Sequence, residues 1–348
     1  MGETERRKAE HIRICLEEDV RGKRIGNGFD MYRFRHRALP ELDFAEIDTS
    51  ARFLGKRLKV PLVVSSMTGG TETARRINRN LAEAAERRGW AMGLGSVRAA
   101  LERPELAPTF QVRDVAPTIP IFANLGAVQL NYGYGVDECR RAVELTEADG
   151  LVLHLNGLQE LFQPEGNTNF KGVIGRIESL CAALPIPVGV KEVGWGIDGA
   201  TARRLADAGV RFIDVAGAGG TSWSEVERRR NPDNVRARAA AAFADWGIPT
   251  ARCVAEARKT APSCTIIASG GITSGVEAAK AIALGADLVG LARTLLDAAV
   301  RSADEVASVM EQVEYELRAA MFATGSRTLR DLRGTPALEP IYGYGCEP

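Results

Sequence analysis

Aromatic residues make up only 6% of this 348-residue chain, and it holds just three histidines, His11, His36 and His154. Net charge is missing too, because Lys+Arg and Asp+Glu both number 45. That balance gives no global pull toward nucleic acid or an anionic membrane, so neither is expected as a partner. The six cysteines (Cys15, Cys139, Cys181, Cys253, Cys264 and Cys346) are scattered, with no CxxC and no metal-ligand spacing. Reduced thiols in a reducing cytosol are the expectation. No apolar run approaches the roughly 18 residues that span a bilayer. The charged start, MGETERRKAEHIRIC, lacks the apolar stretch of a secretory signal. A cytoplasmic location follows from that reading. No GxGxxG follows the first apolar run, which argues against a dinucleotide-binding sheet.

What the chain does have is repetition. Eight short aliphatic or β-branched runs recur: Leu58–Met67, Ala91–Ser96, Ile119–Leu125, Gly150–Leu155, Pro187–Val193, Phe212–Ala216, Thr265–Ser269 and Leu288–Ala292. Helical patterns follow at Thr73–Arg88, Pro104–Asp114, Val136–Ala148, Gly172–Ala183, Gly199–Ala208, Asn234–Trp246, Val276–Leu284 and from the eighth run to about Ala323. Near-continuously apolar strands alternating with helices imply parallel pairing through right-handed crossovers. Eight units predict an α/β protein, a (β/α)8 TIM barrel. An N-terminal extension with a helix near Lys8–Glu18 occupies residues 1–57, the barrel 58–325, and an irregular C-terminal tail 326–348.

Barrels of this kind place their sites at the C-terminal ends of the strands. The unusual polar residues gather there. Ser65, Ser66, Met67 and Thr68 close the first strand, and Ser96 and Arg98 follow the second. Asn124 ends the third, His154 and Asn156 the fourth, and Lys191 the fifth.

Each motif has a bland and a chemical reading. ASGGITSG (Ala268–Gly275) leaves a strand and opens a helix, so its N–H groups suit a phosphate, with Ala292 and Arg293 of LART as further donors. In AGAGGTSW (Ala216–Trp223), Thr221 and Ser222 either donate to a phosphate or only turn the chain. Lys191 lies inside the apolar strand GVKEVGWG; lysine is rarely buried unpaired, and Glu192 points to the opposite face, so Lys191 is a functional candidate. HLNGLQE (His154–Glu160) packs an imidazole, two amides and a carboxylate into seven positions. Glu160 alone does not cage a metal, but it suits Mg2+ shared with substrate phosphates and water. Arg7, Lys8 and His11 share a helical face, which taken alone reads as solvated charge.

Together RKAEHI, FLGKRLKVPLVVSSMTGG, GLGSVRAALERPE, ANLGAVQ, HLNGLQE, EGNTNFKG, VKEVGWGI, DVAGAGGTSW and ASGGITSGVEAAKAIALGADL, over roughly residues 6–325, closely resemble the type II isopentenyl-diphosphate isomerases. The resemblance implies a redox-neutral interconversion of isopentenyl and dimethylallyl diphosphate. It also implies reduced FMN as the acid/base, Mg2+ on the diphosphate, NADPH or another reductant to prime the flavin, and a homotetramer or homo-octamer. By motif, Ser66, Met67, Thr68, Ser96, Asn124, Lys191 and Thr221 are expected to contact FMN, with Gly270, Gly271, Ala292 and Arg293 at its phosphate. Near a flavin, the Lys191 cation would stabilise the reduced anionic ring. Arg7, Lys8, Ser96, Arg98, His154 and Asn156 are expected on the substrate diphosphate, which reverses the bland reading of Arg7 and Lys8. Gln159 would face the isoprenyl carbons as a catalytic residue with Lys191 and His154, and Glu160 would hold the metal. Two positions depart from the family: Gly157 stands where HLNPLQE has Pro, and Asn167 where Asp is common.

The competing expectations are a flavin-dependent 2-hydroxy-acid oxidase and a non-catalytic barrel that binds FMN or a prenyl diphosphate. The oxidase needs a histidine base near strand seven, yet no histidine follows His154.

Overall fold

The computed structural model describes residues 3–341. Eight parallel strands close into a barrel: β1 (Leu62–Val64), β2 (Ala91–Gly93), β3 (Ile121–Gly126), β4 (Gly150–His154), β5 (Val188–Lys191), β6 (Phe212–Asp214), β7 (Thr265–Ala268) and β8 (Leu288–Leu291). Pairing of β8 with β1 completes the ring and leaves no edge exposed. Seven strands lie within the runs expected for them and β3 passes its run by one residue, Gly126; all eight are shorter than the runs.

Inside, the bottom of the barrel is filled by alternating large and small residues. Phe122 and Phe212 stack edge to face at 5.6 Å, and Phe53 rises against them at 5.9 and 5.2 Å from a hairpin of Ala51–Phe53 and Lys56–Leu58. Gly93 and Gly189 make room for them, since a Cβ at either would fall within about 2.3 Å of a phenylalanine ring. Each such buried ring contributes roughly 1.5–3 kcal/mol. Outside, helix Glu72–Arg88 turns Ile77, Leu81 and Ala85 to the strands; the Thr71 hydroxyl caps it by accepting from the Ala74 N–H at 3.1 Å.

Four helical expectations are corrected. Pro104–Asp114 is not an α-helix. Arg98–Glu102 forms a short helix, and Pro104–Thr109 continues as a 3-10 turn because Pro104 and Pro108 have no N–H to donate. The helix expected over Asn234–Trp246 ends at Ala241, and the crossover onto β7 is a different helix, Thr250–Thr260. That helix buries only Thr250, Ala251, Cys253, Val254 and Ala257, a face too small-sided to read as a stripe. The long final helix is two, Arg293–Arg301 and Ala303–Thr324, divided at Ser302. The N-terminal helix starts earlier, at Glu3, and ends at Glu17. The tail, expected to be irregular, docks: Leu338–Pro340 pairs antiparallel with Tyr32–Phe34. Residues 342–348 of that tail lie outside the described residues.

Candidate active site

Strand register sets the floor of the site. Gly126 pairs with His154, His154 with Lys191, and Lys191 with Asp214, so three adjacent strand ends carry one polar row beside the bare Gly126. Above it opens a cavity of about 910 Å3, walled by all eight strand ends and the N-terminal helix. Every residue expected to bind or catalyse, from Arg7 to Arg293, borders this cavity.

His154 Nδ1 lies 2.7 Å from Asn124 Oδ1. An amide oxygen only accepts, so Nδ1 donates and Nε2 is left as the acceptor. Burial, with Lys191, Lys8 and Arg7 nearby, lowers the imidazole to about 3, so His154 is neutral at physiological pH. Lys191 is buried and donates to the Glu192 carbonyl at 2.6 Å. The Glu192 carboxylate faces elsewhere, accepting from the N–H groups of Val193, Gly194, Trp195 and Gly196 at 2.5–3.1 Å.

One end of the cavity is built of bare backbone. The loop after β7, with Gly270 and Gly271, is pressed onto Gly217 and Gly219 of the loop after β6. Beside it Ala292 precedes helix Arg293–Arg301, and Arg293 donates to the Glu18 carbonyl at 3.2 Å. The buried Ser65 and Ser66 hydroxyls and one Arg293 nitrogen have no hydrogen-bond partner. Buried polar atoms are rarely left so, which suits a bound polar group. Thr221 borders the cavity, whereas Ser222 serves as a turn residue, bonded to Ser224 at 2.9 Å.

The N-terminal helix lies across the mouth. Its charged face turns inward, so the solvated reading of Arg7 and Lys8 fails. Arg7 reaches Glu165 at 3.3 Å, and Lys8 donates to the Ser96 carbonyl at 2.8 Å with its ammonium 4.9 Å from the centre of the Phe110 ring. Burial, reinforced by Arg7, lowers Lys8 to about 7. The amine is therefore cationic below about pH 7 and neutral above it. A diphosphate prefers the cation, so its affinity should weaken by up to about tenfold per pH unit above 7. Calorimetric titration with inorganic pyrophosphate reads this directly, and an affinity flat to high pH would remove Lys8 from the anion site.

HLNGLQE runs from β4 into a short helix, Gly157–Phe162. Glu160 accepts from Asn156 Nδ2 at 2.9 Å and from the Asn167 N–H at 2.5 Å. The Asn167 side-chain oxygen, Oδ1, accepts from Gln129 at 3.0 Å and Arg98 at 3.5 Å, so the asparagine keeps the contacts an aspartate could make there but not its charge. Among the described residues no three His, Cys, Asp or Glu side chains cluster as a ready metal cage. Gly157 is the first residue of its helix, and a Cβ there meets only ordinary contact with Phe170 at 3.6 Å or more. Proline suits that position, and Asn156 before it lies outside the α region at φ −136°. Gly157→Pro should raise stability by about 0.4–1 kcal/mol, read as a shift in the denaturation midpoint. A loss would show that this turn needs glycine.

Two acids escaped the sequence reading. Asp214, in the floor row, is buried and accepts from Ser269 at 2.6 Å; burial raises its carboxyl while Lys191 pulls it down. Glu227 is fully buried beneath Gln159. Its Oε1 accepts from Gln159 Nε2 and meets His11 Nε2, both at 3.0 Å, and its Oε2 accepts from Arg230 at 2.5 Å. Burial opposes its charge, but these partners prevail and hold it at about 2. Glu227 sits in WSEVERRR, a helix between the sixth strand and the one expected from Asn234; its one signal is sharing a face with Trp223, four residues back.

The family model for FMN-dependent dehydrogenases matches residues 3–106 and 157–338. An isopentenyl-diphosphate delta-isomerase of Oceanobacillus iheyensis is 53% identical over 329 residues, covering 94% of each chain. One of Nostoc sp. is 51% identical over 97% of each. Among solved structures, a mandelate oxidase variant with benzaldehyde superposes with a TM-score of 0.66 at 22% identity, covering 96% of this chain and 95% of that one. A second, carrying a monooxide FMN adduct, gives 0.64 at 20% over 91% and 90%. At that identity the oxidases share the fold alone.

Proposed function

This chain belongs to the isopentenyl-diphosphate delta-isomerase family, and from that premise we propose that it interconverts isopentenyl and dimethylallyl diphosphate on reduced FMN with Mg2+. NADPH or another reductant prepares the flavin, and assembly as a homotetramer or homo-octamer in the cytoplasm belongs to the same proposal. Among the described residues, no helix is long and apolar enough to cross a membrane.

The cavity fits the cofactor. The unpartnered Ser65 and Ser66 hydroxyls and the glycine-lined cradle suit FMN, with Gly270, Gly271, Ala292 and Arg293 at its phosphate and Met67, Thr68, Ser96, Asn124, Lys191 and Thr221 along the rest. Bound and reduced, FMN supplies a proton-carrying nitrogen and an electron-rich face for an alkene developing positive charge. Lys191 provides the compensating cation for the reduced ring. Arg7, Lys8, Arg98, His154 and Asn156 hold the diphosphate, where neutral His154 offers Nε2 as an acceptor to a protonated phosphate oxygen or a bridging water without adding charge. Glu160, with the unpartnered Asn156 Oδ1 beside it, would hold Mg2+, which would offset the charge of the diphosphate.

The observation that carries the reading is the buried pair Gln159–Glu227 at the cavity wall, an ionised carboxylate aiming an amide, with no histidine base near the end of β7. A 2-hydroxy-acid oxidation would want that base. Anaerobic protein with reduced FMN, Mg2+ and isopentenyl diphosphate should form dimethylallyl diphosphate without net NADPH consumption. Intact flavin binding with no turnover would overturn the isomerase reading in favour of a non-catalytic barrel. Anaerobic bleaching of oxidised FMN by a 2-hydroxy acid, with no dimethylallyl diphosphate formed in the first assay, would favour the oxidoreductase.

A further inference from the structure

Arg230 closes helix Trp223–Arg230 and lies outside the cavity wall. Its side chain is only 8% exposed, yet it meets three carboxylates, from the N-terminal helix, from its own helix and from the loop after Phe162. Nε donates to Glu10 of the N-terminal helix at 3.0 Å, one terminal nitrogen to Glu227 at 2.5 Å, and the other to Glu165 at 3.5 Å. The same Glu165 oxygen accepts from Arg7 at 3.3 Å. A continuous path therefore runs from Arg7, on the diphosphate side, through Glu165 and Arg230 to Glu227 and the Gln159 amide.

We propose that Arg230 is a positioning residue for the isomerisation, tying the anion-binding N-terminal helix to the carboxylate that aims Gln159. The proposal rests on the isomerase reading above. Its physical basis is charge. Glu10, Glu165 and Glu227 face Arg230 and Arg7, so removing Arg230 leaves three carboxylates against one guanidinium in a largely buried cluster. The other groups facing Glu227 are His11, whose imidazole burial keeps neutral, Cys15 of the same N-terminal helix, and the uncharged Gln159. His11 holds Glu227 down most strongly, through its hydrogen bond, and Arg230 adds a permanent cation that none of the others supplies. Glu227 would then take up a proton at higher pH than in the unchanged protein, and the N-terminal helix would lose its tether. Lysine cannot substitute fully, because a single ammonium does not present the fork of donors that reaches three partners.

Steady-state kinetics over pH on the FMN- and Mg2+-loaded enzyme tests this, with Arg230→Met, Arg230→Lys and Glu165→Gln. In the unchanged enzyme Glu227 contributes no acidic limb near neutrality. Arg230→Met should move its acidic limb up in pH, lower kcat at pH 7 by about 10–100-fold and raise KM by about tenfold. Arg230→Lys should reverse most of that shift but leave KM high. Glu165→Gln should raise KM without that shift, which separates the tether from the charge. An Arg230→Met or Arg230→Lys enzyme with the kcat profile and KM of the unchanged protein would overturn the proposal, as would a uniform loss with no change of pH profile. Binding of inorganic pyrophosphate supplies a readout independent of turnover. If the unchanged protein turns nothing over, the isomerase reading fails, while weaker pyrophosphate binding by Arg230→Lys and Glu165→Gln still supports the tether and equal binding overturns it.

Discussion

Glu227→Gln is expected to lower kcat by about 10²–10⁴-fold while flavin and diphosphate binding stay within a few fold. Glu227 is fully enclosed, yet His11, Arg230 and Gln159 keep it ionised. As a carboxylate it only accepts, so the Gln159 NH2 group is forced to point down and the Gln159 carbonyl faces Asn156 at 3.4 Å. A glutamine at 227 brings its own NH2 group, which must oppose either Arg230 or the Gln159 donor. The amide beside the reacting carbons then loses its fixed orientation, and any proton leaving through Glu227 loses its acceptor. Geometric misplacement alone costs large factors in rate. Single-turnover isomerisation with saturating reduced FMN measures the effect without product release. A kcat near that of the unchanged protein would take Glu227 out of the reaction.

Gly270→Ala should destroy the flavin site and cost at least about 3 kcal/mol of stability. Gly270 sits at φ +110°, where an L side chain is strained. A Cβ there would lie 2.1 Å from the Gly217 carbonyl oxygen and 2.6 Å from the Gly217 nitrogen. Neither can retreat, because the Gly217 N–H already donates to the Ser269 carbonyl at 2.9 Å. The two loops must part, and with them the cradle at the ends of β6 and β7. Gly175→Ala is the matched control. It lies in helix Val173–Ala183 with nothing within 4 Å of the new Cβ, so it should be neutral or stabilising by up to about 1 kcal/mol. Thermal unfolding and flavin fluorescence titration of both variants test the contrast. Normal flavin affinity in Gly270→Ala would show that the loops are not locked as described.

Strand positions were legible because a buried parallel strand is an apolar run whatever surrounds it. The glycine-rich turns after β6 and β7 were legible as places where backbone packs closely, because glycine alone leaves room for one loop to press on another. Helix Thr250–Thr260 was not, since its buried face of Ala, Cys and Val carries too little contrast to show a period. Arg7 and Lys8 show a different limit. Their spacing was visible, but only packing across the barrel mouth decides that the face they share is buried.

By itself, then, the sequence determined the eight-fold alternation, the rim that carries polar residues, and the family those motifs resemble. Each of these is written in residues close together along the chain. Tertiary structure alone decided the electrostatics. Glu227 becomes a buried, ionised acceptor because His11 lies 216 residues away, Gln159 68 residues away, and both close over it. Arg230 becomes a hub because Glu10 and Glu165 converge on it from 220 and 65 residues away. A charge in a helical run looks solvated until the fold removes its water, and that removal depends on elements no local pattern can bring together.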